Sequence, residues 1–422
     1  MIARAAQDAS ATVTTATVTT PTERRWFEGL DGIRFIAAFL VIVHHAGFSS
    51  GATFRWDLGG LMFTRMDIGV AIFFVLSGFL LYRPFVVSQF TASPPPATMP
   101  FWIRRVVRIF PAYWVAFLFL LAIGTVTVDG IEGFVLSFTL THVYAPDYAV
   151  SGLTQSWTLA TELGFYLALP FLAALGRRVS ERTAAGVRSL NHQALRLLVV
   201  CAVLALSSFV FRAVMFRLSP YELDSWGTVS RLWTPSHLDV FAAGMALAVV
   251  SVWAEHRRLV RDATTSATRR VWVWWLVAAG TFWFLSAQLD LARGLDLASF
   301  EREMIRQTLY VVVGVALVAP VVFARPGSTP GLRFLAWRPM AWLGIVSYGI
   351  YLWHQAVLSW THDLFGWPDL TGNFVVLLTF ATVGSAAIAG LSHRFGEDPA
   401  SVYVRDRLRS TTRPARRSEG DG

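Results

Sequence analysis

Lysine is absent from this 422-residue chain, and cysteine occurs once, at Cys201. A lone cysteine within an apolar run excludes a disulfide framework and a cysteine-based metal site. Charge is scarce too: Asp, Glu and Arg together make 15% of the chain, against about a quarter in a soluble domain. With 55% hydrophobic residues and a mean hydropathy of +0.51, an ordinary soluble fold is excluded. The absence of lysine leaves 36 arginines against 27 acids, a formal net charge of +9. That excess does not point to nucleic acid, because the arginines fall between apolar runs, where membrane topology accounts for them. Residues 1–25, with the near-repeat ATVTTATVTT, lack the basic start and continuous apolar core of a signal peptide and read as a disordered cytoplasmic tail.

What is present is a long series of apolar runs. Spans are expected at about 32–48, 67–89, 106–124, 156–175, 194–216, 236–254, 271–289, 304–324, 338–361 and 372–392. They predict an all-α, polytopic membrane bundle of about ten transmembrane helices over residues 26–400, followed by a disordered basic cytoplasmic tail at 401–422. Seventeen Trp and thirty-two Phe suit lipid contact and interfacial belts. Arg24 and Arg25 precede the first span. Further arginines follow the second (Arg83, Arg104, Arg105, Arg108), the fourth (Arg177 to Arg188), the sixth (Arg257 to Arg270), the eighth (Arg325 to Arg338) and the tenth (Arg394 to Arg417). Ten crossings put every group on one side, which the positive-inside rule makes cytoplasmic, with both termini inside and the chain in the inner (plasma) membrane. Counting the short run 131–143 as a span would break this pattern, so it is expected to be a re-entrant or interfacial helix. The two halves show no clear internal repeat, which weakens a transporter reading.

Ionisable residues inside spans are costly and usually face a polar interior. In LDGIRFIAAFLVIVHH, residues 30–45, Asp31 sits where a helix cap would sit. Arg34 and His45 are eleven residues apart, roughly 16 Å of rise on one face. His45 then points into a site within the bundle, or else His44 and His45 are interfacial. The second span holds Asp67 and then FFVLSGFLL at 73–81. Packing accounts for Ser77 and Gly78, since a nucleophilic serine needs a partner base that the sequence does not reveal. Arg104, Arg105 and Arg108 fall within one turn at the expected mouth of the third span. They serve topology and anionic lipid, or form a clamp for a cofactor with several phosphates. In the fourth span, Thr158, Glu162 and Tyr166 share a face at steps of four. Glu162 is expected at a depth similar to His45, where a carboxylate would orient the imidazole; it could instead bind a backbone group or an arginine. In the ninth, Ser347, Tyr351 and His354 form a stripe, with His354 expected in the outer half.

Taken in order, LDGIRFIAAFLVIVHH, FFVLSGFLL, RRVVRIFPAYW, WTLATELGFY, SYGIYLWH and the closing Glu397-Asp398-Pro399 resemble the acyltransferase-3 family of integral membrane acyltransferases, which includes O-acetylases of bacterial surface polysaccharides. The resemblance covers about 25–400. It implies a ten-helix bundle that passes an acyl group from cytoplasmic acyl-CoA, here expected to be acetyl-CoA, to a hydroxyl, usually of a sugar. It implies that His45 is catalytic, that Arg34 is essential, and that Arg104, Arg105 and Arg108 meet the CoA side. Some family members carry a fused extracytoplasmic hydrolase-like domain that this sequence does not contain, and others acylate macrolide-type metabolites.

The expected function is therefore O-acyl transfer without a metal, between acyl-CoA and a hydroxyl-bearing glycan or glycoside, in the lipid bilayer. His45 is general base or acyl relay, and Glu162 assists its orientation. Tyr166, Ser347, Tyr351 and His354 are further site-lining candidates. The alternatives are a proton-coupled transporter or lipid flippase with a His45/Glu162/His354 relay, and a membrane scaffold.

Overall fold

A computed structural model describes residues 27, 29–181, 189–219, 222, 225–289, 291 and 299–394. Within them all regular structure is helical. The expected tails at 1–25 and 401–422, Arg24, Arg25, Arg182, Arg188, the Glu397-Asp398-Pro399 motif and the tail arginines beyond Arg394 lie outside the described residues.

Among the described residues, ten helices have seventeen residues or more: α1 (Leu30–Ser49), α2 (Ile68–Phe90), α3 (Thr98–Ala122), α4 (Trp157–Glu181), α5 (Leu190–Leu218), α6 (Leu238–His256), α7 (Val271–Ala287), α8 (Phe300–Phe323), α9 (Ser347–Phe365) and α10 (Phe374–Ser392). Eight are long and apolar enough to cross a membrane; α7 is apolar but shorter, and α9 is the more polar exception. This is the all-α polytopic membrane bundle that the apolar runs predict.

The helices alternate in direction, as contacts between their ends show. At one face, Arg83 near the end of α2 meets Glu255 near the end of α6 at 2.6 Å, and Trp253 of α6 bonds Asn191 at the start of α5 at 3.0 Å. At the opposite face, Ser49 at the end of α1 meets His362 of α9 at 2.7 Å, and Tyr310 of α8 donates to Asp67 just before α2. The described arginine groups Arg177–Arg178, Arg257–Arg270 and Arg325–Arg338 flank helix ends that belong to the first face, called here the arginine-rich face.

Helix α2 is the hub. Its residues are buried nearly all round, against α1, α6 and α8. A Cβ on Gly78 would lie 2.1 Å from the Phe241 carbonyl oxygen, and one on Gly244 would lie 2.0 Å from that of Val75, so α2 and α6 touch backbone to backbone. In an apolar solvent such close packing replaces the hydrophobic drive between helices. Phe241 of α6 also stacks between Phe74 of α2 (4.6 Å) and Phe165 of α4 (4.0 Å), fixing the register of α2 against α4.

Three boundaries differ from expectation. Helix α3 begins at Thr98, eight residues before the expected 106, so the arginine cluster lies inside the helix and not at its mouth. The ninth span is broken at Val346 into Arg338–Ile345 and α9, so His354 is in the first half of its helix. The break lets Gly344 press against α1, where a Cβ would lie 1.9 Å from the Asp31 carbonyl. Within 131–143, only Gly130–Phe138 is α-helical. Its nine residues rise about 13 Å, less than half a crossing. Tyr113 and Trp114 of α3 pin its end through the Ser137 and Phe138 carbonyls.

Candidate active site

A cavity of about 450 Å³ opens between α1, α2, α3, α4 and α9. Along α2 its wall runs from Val70 to Leu81, eleven steps and roughly 16 Å of rise, so it is elongated across the bundle. Its volume is in the range of small-ligand pockets.

The residues that sequence periodicity groups together do converge here. Arg34, Arg105, Arg108, Thr158, Glu162, Tyr166, Ser347 and Tyr351 all line this cavity. Arg34 is held by Asp31 one turn away, at 2.8 Å. Arg105 reaches in from α3 with its guanidinium over the rings of Phe101 (5.5 Å) and Tyr166 (5.7 Å). Its Nε is buried and makes no hydrogen bond. Arg104 is exposed and does not line the cavity. Three cations around one apolar-walled space suit a ligand with anionic groups at one end.

Glu162 does not meet His45. It accepts a hydrogen bond from Ser77 of α2, a partner that the sequence does not reveal. Glu162 thus faces α2 and not α1, in a bundle where the Phe74–Phe241–Phe165 stack bridges α2 and α4. The expected Glu162–His45 pairing is therefore replaced by Glu162–Ser77.

The residue that meets His45 is His354. Their rings are 4.9 Å apart, with His354 Nε2 3.0 Å from His45 Nδ1. His354 Nδ1 lies 2.6 Å from the Tyr351 carbonyl, which can only accept. A neutral His354 thus carries its proton on Nδ1 and offers the Nε2 lone pair to His45. His45 in turn is protonated on Nδ1, shared between His354 and the Val41 carbonyl at 3.1 Å, and its own Nε2 is left with a lone pair. A chain of fixed acceptors thereby sets the tautomer that a general base needs. The pair stands one side chain behind the cavity wall: the Tyr351 ring, which lines the cavity, is 5.6 Å from that of His354. His44 is turned away, with Nδ1 3.0 Å from the Phe63 carbonyl. Tyr351 is itself fixed by Thr158, whose hydroxyl is 2.9 Å from the phenol oxygen.

Within a multi-pass membrane bundle, a cation-lined cavity beside a buried imidazole of fixed tautomer suits group transfer. Residues 27–393 match the family model described as an acyltransferase domain, and the chain belongs to that family. It is thus a member of an acyltransferase family, folded as a multi-pass membrane bundle. It is 27% identical over 391 residues to YrhL of Bacillus subtilis (strain 168), covering 89% of this chain and 55% of that protein. It is 27% identical over 399 residues to peptidoglycan O-acetyltransferase OatA of Listeria monocytogenes, covering 90% and 57% respectively. The chain therefore spans a little over half the length of these relatives. Nodulation protein 10 of Rhizobium leguminosarum bv. viciae is 27% identical over 403 residues, covering 88% of this chain and 92% of that protein. No solved structure matches the chain.

Proposed function

We propose that this chain transfers an acyl group, by preference acetyl, from acyl-CoA on the cytoplasmic side to a hydroxyl of a sugar, surface glycan or glycosylated metabolite. The observation that carries the reading is the His45–His354–Tyr351 relay behind a cavity lined by Arg34, Arg105 and Arg108. The name of OatA, a peptidoglycan O-acetyltransferase, supports a glycan acceptor.

The arginine-rich face is the cytoplasmic one on the positive-inside rule. CoA phosphates sit against Arg105 and Arg108, with Arg104 nearer the surface and Arg34 below them. The pantetheine arm runs along α2 and brings the thioester towards Tyr351. The acceptor hydroxyl approaches from the arginine-poor face, four residues beyond His45 at Ser49. His45 Nε2 takes its proton as the oxygen attacks, and His354 steadies the imidazolium. Positioning the two substrates supplies much of the rate.

The test is release of free thiol from acetyl-CoA by the full chain in nanodiscs. Loss of turnover with binding retained in His45→Ala, and weakened binding in Arg105→Ala, is the expected result. Turnover unchanged in His45→Ala, or no binding of any acyl-CoA, overturns the reading.

A further inference from the structure

Ser77 differs from most serines of the spans. Ser88, Ser207, Ser251, Ser286 and Ser385 each donate to a carbonyl of their own helix, three or four residues back. That is the usual resting place of a helical hydroxyl. Ser77 instead donates across the bundle to the Glu162 carboxylate. Both residues are half-buried and line the cavity together with Arg105 and Arg108. The α2–α6 contact at Gly78 and the Phe74–Phe241–Phe165 stack hold the pair from behind. A hydroxyl bonded to a carboxylate, rigidly held and open to a ligand cavity, is the arrangement of an activated nucleophile.

We propose that Ser77 is a transient acyl carrier and that Glu162 is its base. This rests on the acyl-CoA reading above. Ser77 Oγ attacks the thioester carbonyl, forming a C–O bond while the C–S bond breaks. Glu162 takes and holds the hydroxyl proton while CoA leaves as the thiolate, which gains its proton from water, so acyl-Ser77 and free CoA thiol result. In the second step the acceptor oxygen attacks the ester and the Ser77 C–O bond breaks. The acceptor proton goes to His45, which releases it to water, and Glu162 returns the proton it holds to the serine oxygen. Arg105, within electrostatic reach of Glu162, steadies the developing charge. Splitting the transfer in two lets donor and acceptor enter from opposite faces without meeting.

The full chain in nanodiscs is mixed with radiolabelled acetyl-CoA without acceptor, quenched in acid and mapped by peptide mass spectrometry. Label is expected on the peptide that holds Ser77. It should be absent in Ser77→Ala and reduced about a hundredfold in Glu162→Gln, the scale of a general-base contribution. Ser77→Cys should carry the label as a thioester, released by neutral hydroxylamine. A monodisperse elution profile and retained acetyl-CoA binding show that each variant is folded. Label on His45 alone overturns the proposal, as does thiol release at the wild-type rate in Ser77→Ala. If release depends on His45 but not on Ser77, direct transfer stands and this inference alone falls. If the wild type neither binds nor consumes acetyl-CoA, both fall.

Discussion

At the scale of single residues, the arrangement around His45 gives a graded prediction. His354 touches no substrate in this reading; it accepts the His45 Nδ1 proton and so holds the base in its working tautomer. His354→Ala should lower kcat for thiol release while KM for acetyl-CoA stays near the wild-type value. His354→Gln, whose amide oxygen can accept the same bond, should recover part of that loss. A second residue-scale prediction concerns His142, in the loop between α3 and α4. It is fully buried with Nε2 3.2 Å from the Ser156 hydroxyl, and burial pushes its imidazole down to about 4. A histidine with a depressed folded value binds fewer protons folded than unfolded between about 6.5 and that value. Its contribution to stability is therefore complete above about 6.5 and is lost as pH falls towards 4, by up to about 3 kcal/mol. Thermal unfolding in detergent should show a steeper loss between neutral and acid pH for the wild type than for His142→Asn. Residues on one helix were legible in the sequence: Thr158, Glu162 and Tyr166, and likewise Ser347 and Tyr351, do share a wall. Who faces whom across helices was not, because periodicity orients side chains on a helix but carries no information about its register against another. Hence Ser77 read as packing, and Glu162 was expected beside His45.

At the scale of elements, boundaries moved wherever polar residues continue a helix beyond its apolar core. Hydropathy placed the start of α3 at 106, but Thr98–Ile103 have no helix breaker after Pro100, which sits near the first turn where its missing donor costs nothing. Arg105 and Arg108 are thereby brought to the cavity wall, while Arg104 stays exposed. The break at Val346 was equally invisible, since the run 338–361 contains no proline after Pro339; it exists because Gly344 must meet the α1 backbone. The contact between α2 and α6 is the element-level feature most open to test. Gly78→Ala drives a methyl to 2.1 Å from the Phe241 oxygen, with backbone on both sides and no flexible side chain to give way. It should destabilise the protein by at least the 1–3 kcal/mol typical of overpacking. Gly280 in α7 has nothing within 4 Å of its would-be Cβ, so Gly280→Ala should be neutral or stabilising by up to about 1 kcal/mol from helix propensity. Thermal unfolding of the two variants side by side separates contact from propensity.

At the scale of the whole molecule, the arginine-poor face is tied by a charge network with no counterpart in the hydropathy pattern. Arg212 of α5 faces Asp239 of α6 at 3.4 Å, both 2% exposed, and Gln307 of α8 reaches the same carboxylate at 3.3 Å. Glu303 of α8 is held by Arg306 at 2.6 Å and Arg231 at 3.1 Å, and Arg306 continues to Asp67 at 3.7 Å. Four helices are clasped by groups that sequence reading sees only as scattered charges, because their partners come from distant spans. Removing the carboxylate that faces a buried guanidinium is costly: Asp239→Ala should lose about 3–5 kcal/mol, and the paired change Arg212→Met with Asp239→Leu should restore much of it.

The expected orientation rests on the arginine groups, since the alternation of the helices brings those at Arg177–Arg178, Arg257–Arg270 and Arg325–Arg338 to one face. The solitary cysteine makes this testable. Cys201 is buried within α5 and should be silent to a membrane-impermeant maleimide. Val150, exposed in the loop between α3 and α4, and Arg261, exposed in the helix Arg258–Thr268 between α6 and α7, stand on opposite faces by the alternation of the helices. In intact cells, Val150→Cys should label at once and Arg261→Cys only after permeabilisation. The reverse pattern would put the arginine clusters outside, where no acyl-CoA is found, and the cavity could not be loaded from its arginine-lined end. Equal labelling of both sites before permeabilisation would mean that α4 to α6 do not complete the odd number of crossings between these positions, and the ten-helix alternation would have to be redrawn.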